Sequence, residues 1–224
     1  MPQPNAACTE ARVDERDRAQ MDASTQSNVP GADGTPSDTA VLDRTREWLE
    51  KAVIGLNLCP FARAEHLNRR IRYRVSASED TGSLLVELEE ELRQLAGTES
   101  SQCETTLLIH PRVLGDFFDF NLFQSEVALC VQRSGLEGVL QVASFHPHFR
   151  FAGTEADDIT NFTNRAPYPT LHLLREESIA AAAGPEESER IVERNLETLQ
   201  RLGPEGWKAL GIHTPSMGPP DGER

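Results

Sequence analysis

Two apolar runs that end at the same dipeptide organise the hydrophobic pattern of the chain. The run at 107–109 stops at His110-Pro111, and the run at 142–145 stops at His146-Pro147. The segment between them has helical periodicity, which predicts a strand, a crossover helix and a second strand. Such crossovers are right-handed and join parallel strands. We therefore expect His110 and His146 to face one crevice at the carboxyl edge of the sheet, where open α/β sheets bind ligands.

The rest of the pattern predicts further helices and strands around this unit. Strict alternation of Ile71, Tyr73 and Val75 with arginines indicates a half-buried strand, and a last short strand is expected at 170–174. Asp43 and Asp116 are suitable N-caps for helices, and Gly203-Pro204 should stop the last one. Other expected helical positions are Trp48, Leu49, Ala52, Val53, Leu56, Leu84, Leu88, Leu92, Leu95, Ile191, Val192, Asn195, Leu196, Leu199 and Leu202.

The predicted order is a helix, then β-α-β-α-β, a long loop, a strand and a helix. This order favours an α/β fold with a mostly parallel four-stranded sheet and flanking helices. Without the first helix, the order β-α-β-α-β-β-α also fits a thioredoxin-like core whose last strand is antiparallel. The CxxC motif usual in that fold is absent, so it remains an alternative for the fold alone.

Composition separates the two ends from the middle of the chain. Residues 1–40 are rich in Ser, Thr, Asp, Gly and Pro and poor in large apolar side chains, which predicts a disordered tail. Residues 41–211 should form a single α/β domain, and residues 212–224 a second disordered tail.

Charge and cysteine content limit the classes of function. A net charge of −14 argues against general binding to nucleic acid or anionic membranes. No apolar run approaches the roughly 20 residues that span a bilayer, and the first residues lack the features of a secretory signal. The four cysteines have no tight spacing, as expected for reduced thiols. We expect a cytoplasmic protein with a small-molecule ligand; its oligomeric state is not indicated.

Cys59, His110 and His146 are the residues best suited to chemistry. Cys59 lies in the turn that ends the first helix, before Pro60. A nearby imidazolium lowers the pKa of a thiol and makes it a nucleophile, and a second group can orient that imidazole. In the blander interpretation Cys59 is a small buried residue, and each histidine bonds a loop backbone.

A long loop from His146 to Pro169 adds candidate substrate-binding groups. Loops of this length in compact domains are usually functional or disordered, and this one carries aromatic and polar residues. Asn161, Asn164 and Arg165 can donate hydrogen bonds to an oxyanion or a carboxylate. Asp158 is a candidate acid-base or substrate-binding residue, although an aspartate before a helical turn is commonly a cap.

Two further sites are weaker hypotheses. Cys59 and the two histidines could instead bind Zn²⁺ or Fe²⁺, but their wide spacing matches no compact ligand motif. The sequence therefore identifies no metal and no cofactor. A cluster of arginines could bind an anion, but a solvated strand face paired with the glutamate-rich helix after it is the commoner arrangement. These arginines are Arg63, Arg69, Arg70, Arg72 and Arg74.

Several phrases resemble the bacterial domain-of-unknown-function family DUF1415. They are WLEKAVIGLNLCPFA from Trp48, LIHPRVLGDFFDFNLF from Leu108, QVASFHP from Gln141, DDITNFTNRAPYPTLHLLRE from Asp157 and IVERNLETL from Ile191. The resemblance covers nearly everything from residue 48 to residue 202, and it implies no established activity. Family members commonly have an acidic residue where this chain has His148, so the resemblance implies no role for His148.

Two functional hypotheses follow. The first is a small enzyme acting on a small polar or anionic metabolite, with Cys59 as nucleophile or redox thiol and His110 and His146 as acid-base partners. The second is a non-catalytic binding or assembly module. It would use the Phe-rich helix at 117–123 and the long loop as an interface.

Overall fold

The structure, a computed structural model, describes residues 36–182 and 185–212. Most of the predicted N-terminal tail, and the predicted C-terminal tail apart from Ile212, lie outside the described residues. The first helix of the described fold begins at Asp38.

Helices and strands occur nearly where the hydrophobic pattern predicts them. The helices are α1 (Asp38–Trp48), α2 (Ala62–Leu67), α3 (Thr81–Ala96), α4 (Phe117–Arg133), α5 (Glu176–Ala182) and α6 (Pro185–Ala209). A π-helical segment, Leu49–Ile54, continues α1, and a 3-10 segment, Ile159–Asn164, lies in the long loop. The strands are β1 (Ile71–Val75), β2 (Thr105–Ile109), β3 (Leu140–Phe145) and β4 (Thr170–Arg175).

The four strands form one open sheet in the order β1-β2-β4-β3. β1 and β2 are parallel, and β4 is antiparallel to both β2 and β3. The α/β class is confirmed, but the prediction of a mostly parallel sheet is wrong, because the sheet is mixed. The last strand returns between β2 and β3 and pairs with both, which short periodic runs do not reveal. Its antiparallel direction is the one that the thioredoxin-like alternative expected.

Side-chain alternation along the strands separates two layers of core. Leu108 packs with Leu171 of β4 and with the leucines of α3 and the phenylalanines of α4. Leu107 and Ile109, its neighbours in β2, pack on the opposite face with Val41 of α1. The carboxyl ends of β1, β2 and β3 therefore lie at one edge of a sheet that has helices on both faces.

The start of α1 and two short helices differ from the prediction, whereas the stop of the last long helix does not. α1 begins at Asp38 rather than after Asp43, so residues 38–40 belong to a helix and not to a tail. The predicted stop at Gly203-Pro204 is confirmed: Gly203 (φ 65°, ψ 173°) is not helical, and it divides α6 into two helices, the second of which begins at Pro204. The helices α2 and α5 were not predicted, because each is too short to show a periodic stripe.

Candidate functional site

His110 and His146 both lie on the α3 and α4 side of the sheet, around one phenylalanine. The ring centroid of Phe120 is 5.9 Å from that of His110 and 4.9 Å from that of His146. Neither histidine has any solvent exposure. The prediction that β2 and β3 end at the same edge is correct, but the space between the two imidazoles is filled by an aromatic side chain.

Each of these histidines forms a hydrogen bond with the loop that precedes α4. The Nδ1–H of His110 donates to the carbonyl of Val113 at 3.1 Å, and the Nε2–H of His146 donates to the carbonyl of Leu114 at 3.2 Å. Leu114 has a φ of 59°, a left-handed conformation that costs free energy for a bulky residue. The two His-Pro motifs thus hold consecutive carbonyls of one strained turn.

Burial keeps both imidazoles neutral. Desolvation lowers the pKa of His110 to about 4, against its bonds to the backbone, which favour the charged form. Desolvation likewise lowers the pKa of His146 to about 4, and the neighbouring His148 and His110 add to that effect. The Nδ1 of His146 accepts the backbone N–H of His148 at 3.0 Å, so its one proton is on Nε2. The acid-base role predicted for the pair stays a prediction, and this geometry gives it no support.

Cys59 lies in a different cluster from the histidines. It is half-buried and packs in the group of apolar residues that includes Trp48, Phe145 and Trp207. Phe145 belongs to the strand face opposite to that of His146, since neighbours along a strand point to opposite sides. The structure therefore brings His110 and His146 together but does not bring Cys59 to them.

Two of the loop residues predicted to bind substrate instead hold the loop itself. Asn161 is fully buried; its Oδ1 accepts from the Phe151 N–H and the Thr154 hydroxyl, and its Nδ2 donates to the Glu155 carbonyl. Asn164 donates from Nδ2 to the carbonyl of Ser144 at 3.2 Å. The Asn161 amide is used within the loop and the Asn164 amide ties the loop to β3, and neither residue lines either of the cavities at Arg165 and Phe118.

Asp158 is the N-cap of the 3-10 segment. Its Oδ1 accepts from the Thr160 backbone N–H at 2.9 Å and from the Thr160 hydroxyl at 2.7 Å. These bonds lower the pKa of Asp158, because they stabilise the carboxylate. The capping alternative therefore accounts for this residue.

Arg165 does lie at an accessible cavity. Its Nε donates to the Phe149 carbonyl at 3.2 Å, its Nη2 donates to the Ala156 carbonyl, and its guanidinium lies 4.1 Å from the centroid of the Phe162 ring. Burial lowers the pKa of Arg165, and the charge of Asp157 opposes that shift. Among the described residues Arg165 forms no ion pair and its Nη1 forms no hydrogen bond, so this edge of the fork remains available.

A cavity of about 200 Å³ opens beside Arg165, and we call it the tryptophan pocket. Phe162 and Trp207 meet edge to face in its wall, with ring centroids 4.9 Å apart. The π-helical segment follows directly after Trp48, which packs edge to face on Phe145 at 5.3 Å. The lining residues are Trp48, Pro147, His148, Phe162, Arg165, Ala166, Trp207 and Ile212.

Sequence reasoning found one polar residue of this pocket, Arg165, and missed most of the others. His148 follows the second His-Pro motif, and the spacing alone did not show which of the two nearby histidines reaches a cavity. Trp207 comes after the predicted end of α6, so no periodic pattern linked it to the long loop. The usable signal was composition: the chain has two tryptophans, and both line this pocket.

The structure bears on the two weaker hypotheses, the metal site and the anion site at the arginine cluster. Within residues 36–182 and 185–212, no group of three or more His, Cys, Asp or Glu side chains is arranged to hold a metal ion. Arg72 and Arg74 approach Glu91 of α3 at 3.3 Å and 3.9 Å, and Arg70 pairs with Glu65 at 2.8 Å. The strand face paired with acidic side chains is therefore the arrangement observed.

Comparison with known proteins gives a family and no activity. A family model described as a protein of unknown function (DUF1415) matches residues 40–209. Neither a curated protein nor a solved structure matches the chain. None of the helices in the described part of the chain is long and apolar enough to cross a membrane.

Proposed function

The chain belongs to the DUF1415 family of proteins of unknown function, and we propose that it binds a small polar or anionic metabolite in the tryptophan pocket. The observation that carries this proposal is the position of Arg165. Arg165 forms no ion pair with the described residues, and it lies at an apolar, aromatic cavity. Ligand sites in proteins are typically apolar cavities with a few placed polar groups.

The size of the cavity limits the ligand. At about 200 Å³ it is smaller than the roughly 300 Å³ at which pockets for drug-sized molecules begin. The ligand is therefore a small metabolite that enters whole, or the end of a larger one.

Cys59 is the residue we propose for a chemical step, which would make the protein an enzyme. It shares an apolar cluster with Trp48, Ala166 and Trp207, three of the residues that line the pocket. Cys59 is not among the lining residues, so the ligand has to carry a carbonyl group toward this cluster; there the thiolate forms an S–C bond and the C=O π electron pair moves to the oxygen. His110 and His146 have no part in this proposal, because both are sealed from solvent.

The cellular setting and partners are part of the same proposal. Cys59, Cys103 and Cys130 are free thiols, which favours a reducing compartment such as the cytoplasm. The net charge of −14 supports a function without nucleic acid or anionic membranes.

Intrinsic fluorescence tests the proposed function directly. Both tryptophans line the pocket, so a ligand that enters it should change the emission of the protein. We expect a screen of small anionic metabolites to give at least one saturable change, which Arg165→Met abolishes. Arg150→Met is the matched control, because Arg150 is exposed and lines a different cavity. If no metabolite changes the emission, or if both variants respond like wild type, the proposal is wrong.

A second candidate function, the binding or assembly module, is favoured by a different surface. Phe118 and Leu122 on α4 are 65% and 57% exposed, and Phe118 borders a cavity of about 630 Å³ with Phe151. Exposed aromatic residues grouped in this way often mark an interface. Light scattering of the wild type and of Phe118→Ser tests this second function. It is contradicted if both proteins are monomers and neither binds a partner protein.

A further inference from the structure

We propose that the tryptophan pocket selects a carboxylate carried on a small aromatic ring. This inference rests on the proposed function and specifies the class of ligand. It is carried by one guanidinium edge and two indole N–H groups that form no hydrogen bond with the described residues and belong to side chains lining the same cavity.

The charge of the pocket fits a monoanion. Arg165 is the one arginine among the described residues that line it, and its Nη1 protons form no hydrogen bond with those or the other described residues. A guanidinium edge matches the two oxygens of a carboxylate. A phosphate dianion gains most where several cations converge, and among the described lining residues the other titratable side chain is that of His148. Asp157 adds a negative charge near Arg165, which further disfavours a dianion.

The walls fit a ring rather than a chain. Trp48, Phe162 and Trp207 line the cavity, and Arg165 lies over the Phe162 ring. Trp207 is half-buried, with its ring edge to face on Phe162. Aromatic rings gain from offset or edge-to-face contacts with indoles, beyond the area that they bury. A single ring with one carboxylate also agrees with the cavity volume of about 200 Å³.

The two indole N–H groups add hydrogen-bond donors to the tryptophan pocket. Within the described part of the chain, neither the indole N–H of Trp48 nor that of Trp207 donates a hydrogen bond. Trp48 is buried and Trp207 half-buried, and both line the cavity, so a carboxylate oxygen that reaches either N–H gives it an acceptor. A neutral amide of the same shape would offer a single acceptor oxygen and no charge.

Calorimetric titration of the full chain with four probes tests this inference. The probes are benzoate, its neutral isostere benzamide, the matched saturated ring cyclohexanecarboxylate, and inorganic phosphate. We expect benzoate to bind best. Benzamide should bind at least roughly tenfold more weakly, because a charge-assisted hydrogen bond is lost. Cyclohexanecarboxylate should bind about two- to tenfold more weakly, because the aromatic contact is lost. Phosphate should give no heat.

Variants and alternative outcomes separate the two proposals. Arg165→Lys should weaken benzoate without affecting benzamide, since lysine keeps the charge and loses the planar fork. Arg150→Met should match wild type. Equal binding of benzoate and either ring analogue, or preferred binding of phosphate, would overturn the ligand class. If benzoate does not bind although the fluorescence screen finds another ligand, the inference fails and the proposed function stands; if neither finds a ligand, both fail.

Discussion

Acid should destabilise the fold through the two histidines of the His-Pro motifs. Both are fully buried, and burial lowers the pKa of each from 6.5 to about 4. Below pH 6.5 the histidines of the unfolded chain bind protons, whereas the buried imidazoles of the folded chain stay neutral down to about pH 4. The free energy of unfolding therefore falls as the pH falls from about 6.5 to about 4, and it is retained above that range.

The magnitude follows from the two pKa values. A histidine that titrates at about 4 when folded and about 6.5 when unfolded costs about 2 kcal/mol between pH 7 and pH 5. His110 and His146 together therefore remove about 4 kcal/mol, a large part of the roughly 5 to 15 kcal/mol that stabilises a typical domain. His172 adds to the same trend, because burial also lowers its pKa to about 4.

Urea denaturation at a series of pH values is the assay. The range from pH 7 to about pH 5 avoids the titration of most carboxylates, whose ordinary pKa values lie near 4. We expect the unfolding free energy of wild type to decline steadily across the range. Replacing His110 by Asn should lower stability at pH 7 and flatten the decline. A wild-type curve that is level, or a variant whose slope equals that of wild type, would refute the reasoning.

Three further predictions concern the loops and the thiol. The Nδ1 of the buried His146 accepts the backbone N–H of His148, which lines the pocket, so His146 takes no part in chemistry but should position His148. His146→Asn, whose amide stands near the Nδ1 position, should keep this bond and preserve ligand affinity, whereas His146→Gln should keep only the Leu114 bond and bind ligand more weakly; equal affinities would contradict this role. Asn161→Ala should cost about 3 kcal/mol in urea denaturation, from three lost hydrogen bonds at about 1 kcal/mol each; a cost below about 1 kcal/mol would contradict it. Iodoacetamide should label Cys59 more slowly when ligand is bound, as peptide mapping can show; an unchanged rate would separate Cys59 from the pocket.

Local pattern was enough to place the strands and the N-cap of α4, although it placed the start of α1 too late. Asp116 caps α4 by accepting from the Asp119 N–H, as predicted from its position before an apolar stripe. β2 contains the predicted run at 107–109 and ends with it, because a buried run that stops at His-Pro leaves little choice of strand. The direction of β4 was not predictable in this way, since pairing with both β2 and β3 depends on contacts distant in sequence.

The candidate site was harder to predict, because equal positions at two strand ends do not imply equal chemistry. His110 and His146 share an edge as expected, but Phe120 fills the space between them and their protons go to loop carbonyls. Arg165 was identified as a candidate because it lies beside Asn164 in the long loop and can donate hydrogen bonds to an anion. Trp207 could not be assigned, since its position follows from the kink at Gly203.

The most direct test of the central claim is a ¹H–¹⁵N spectrum of the protein during titration with a small aromatic carboxylate. The chain has two tryptophans, so two indole N–H signals are expected, and both residues line the pocket. If the tryptophan pocket is the ligand site, both signals move together and saturate at one ligand concentration, and Arg165→Met suppresses the change. If the ligand binds while both indole signals stay in place, the site lies elsewhere and the account is contradicted.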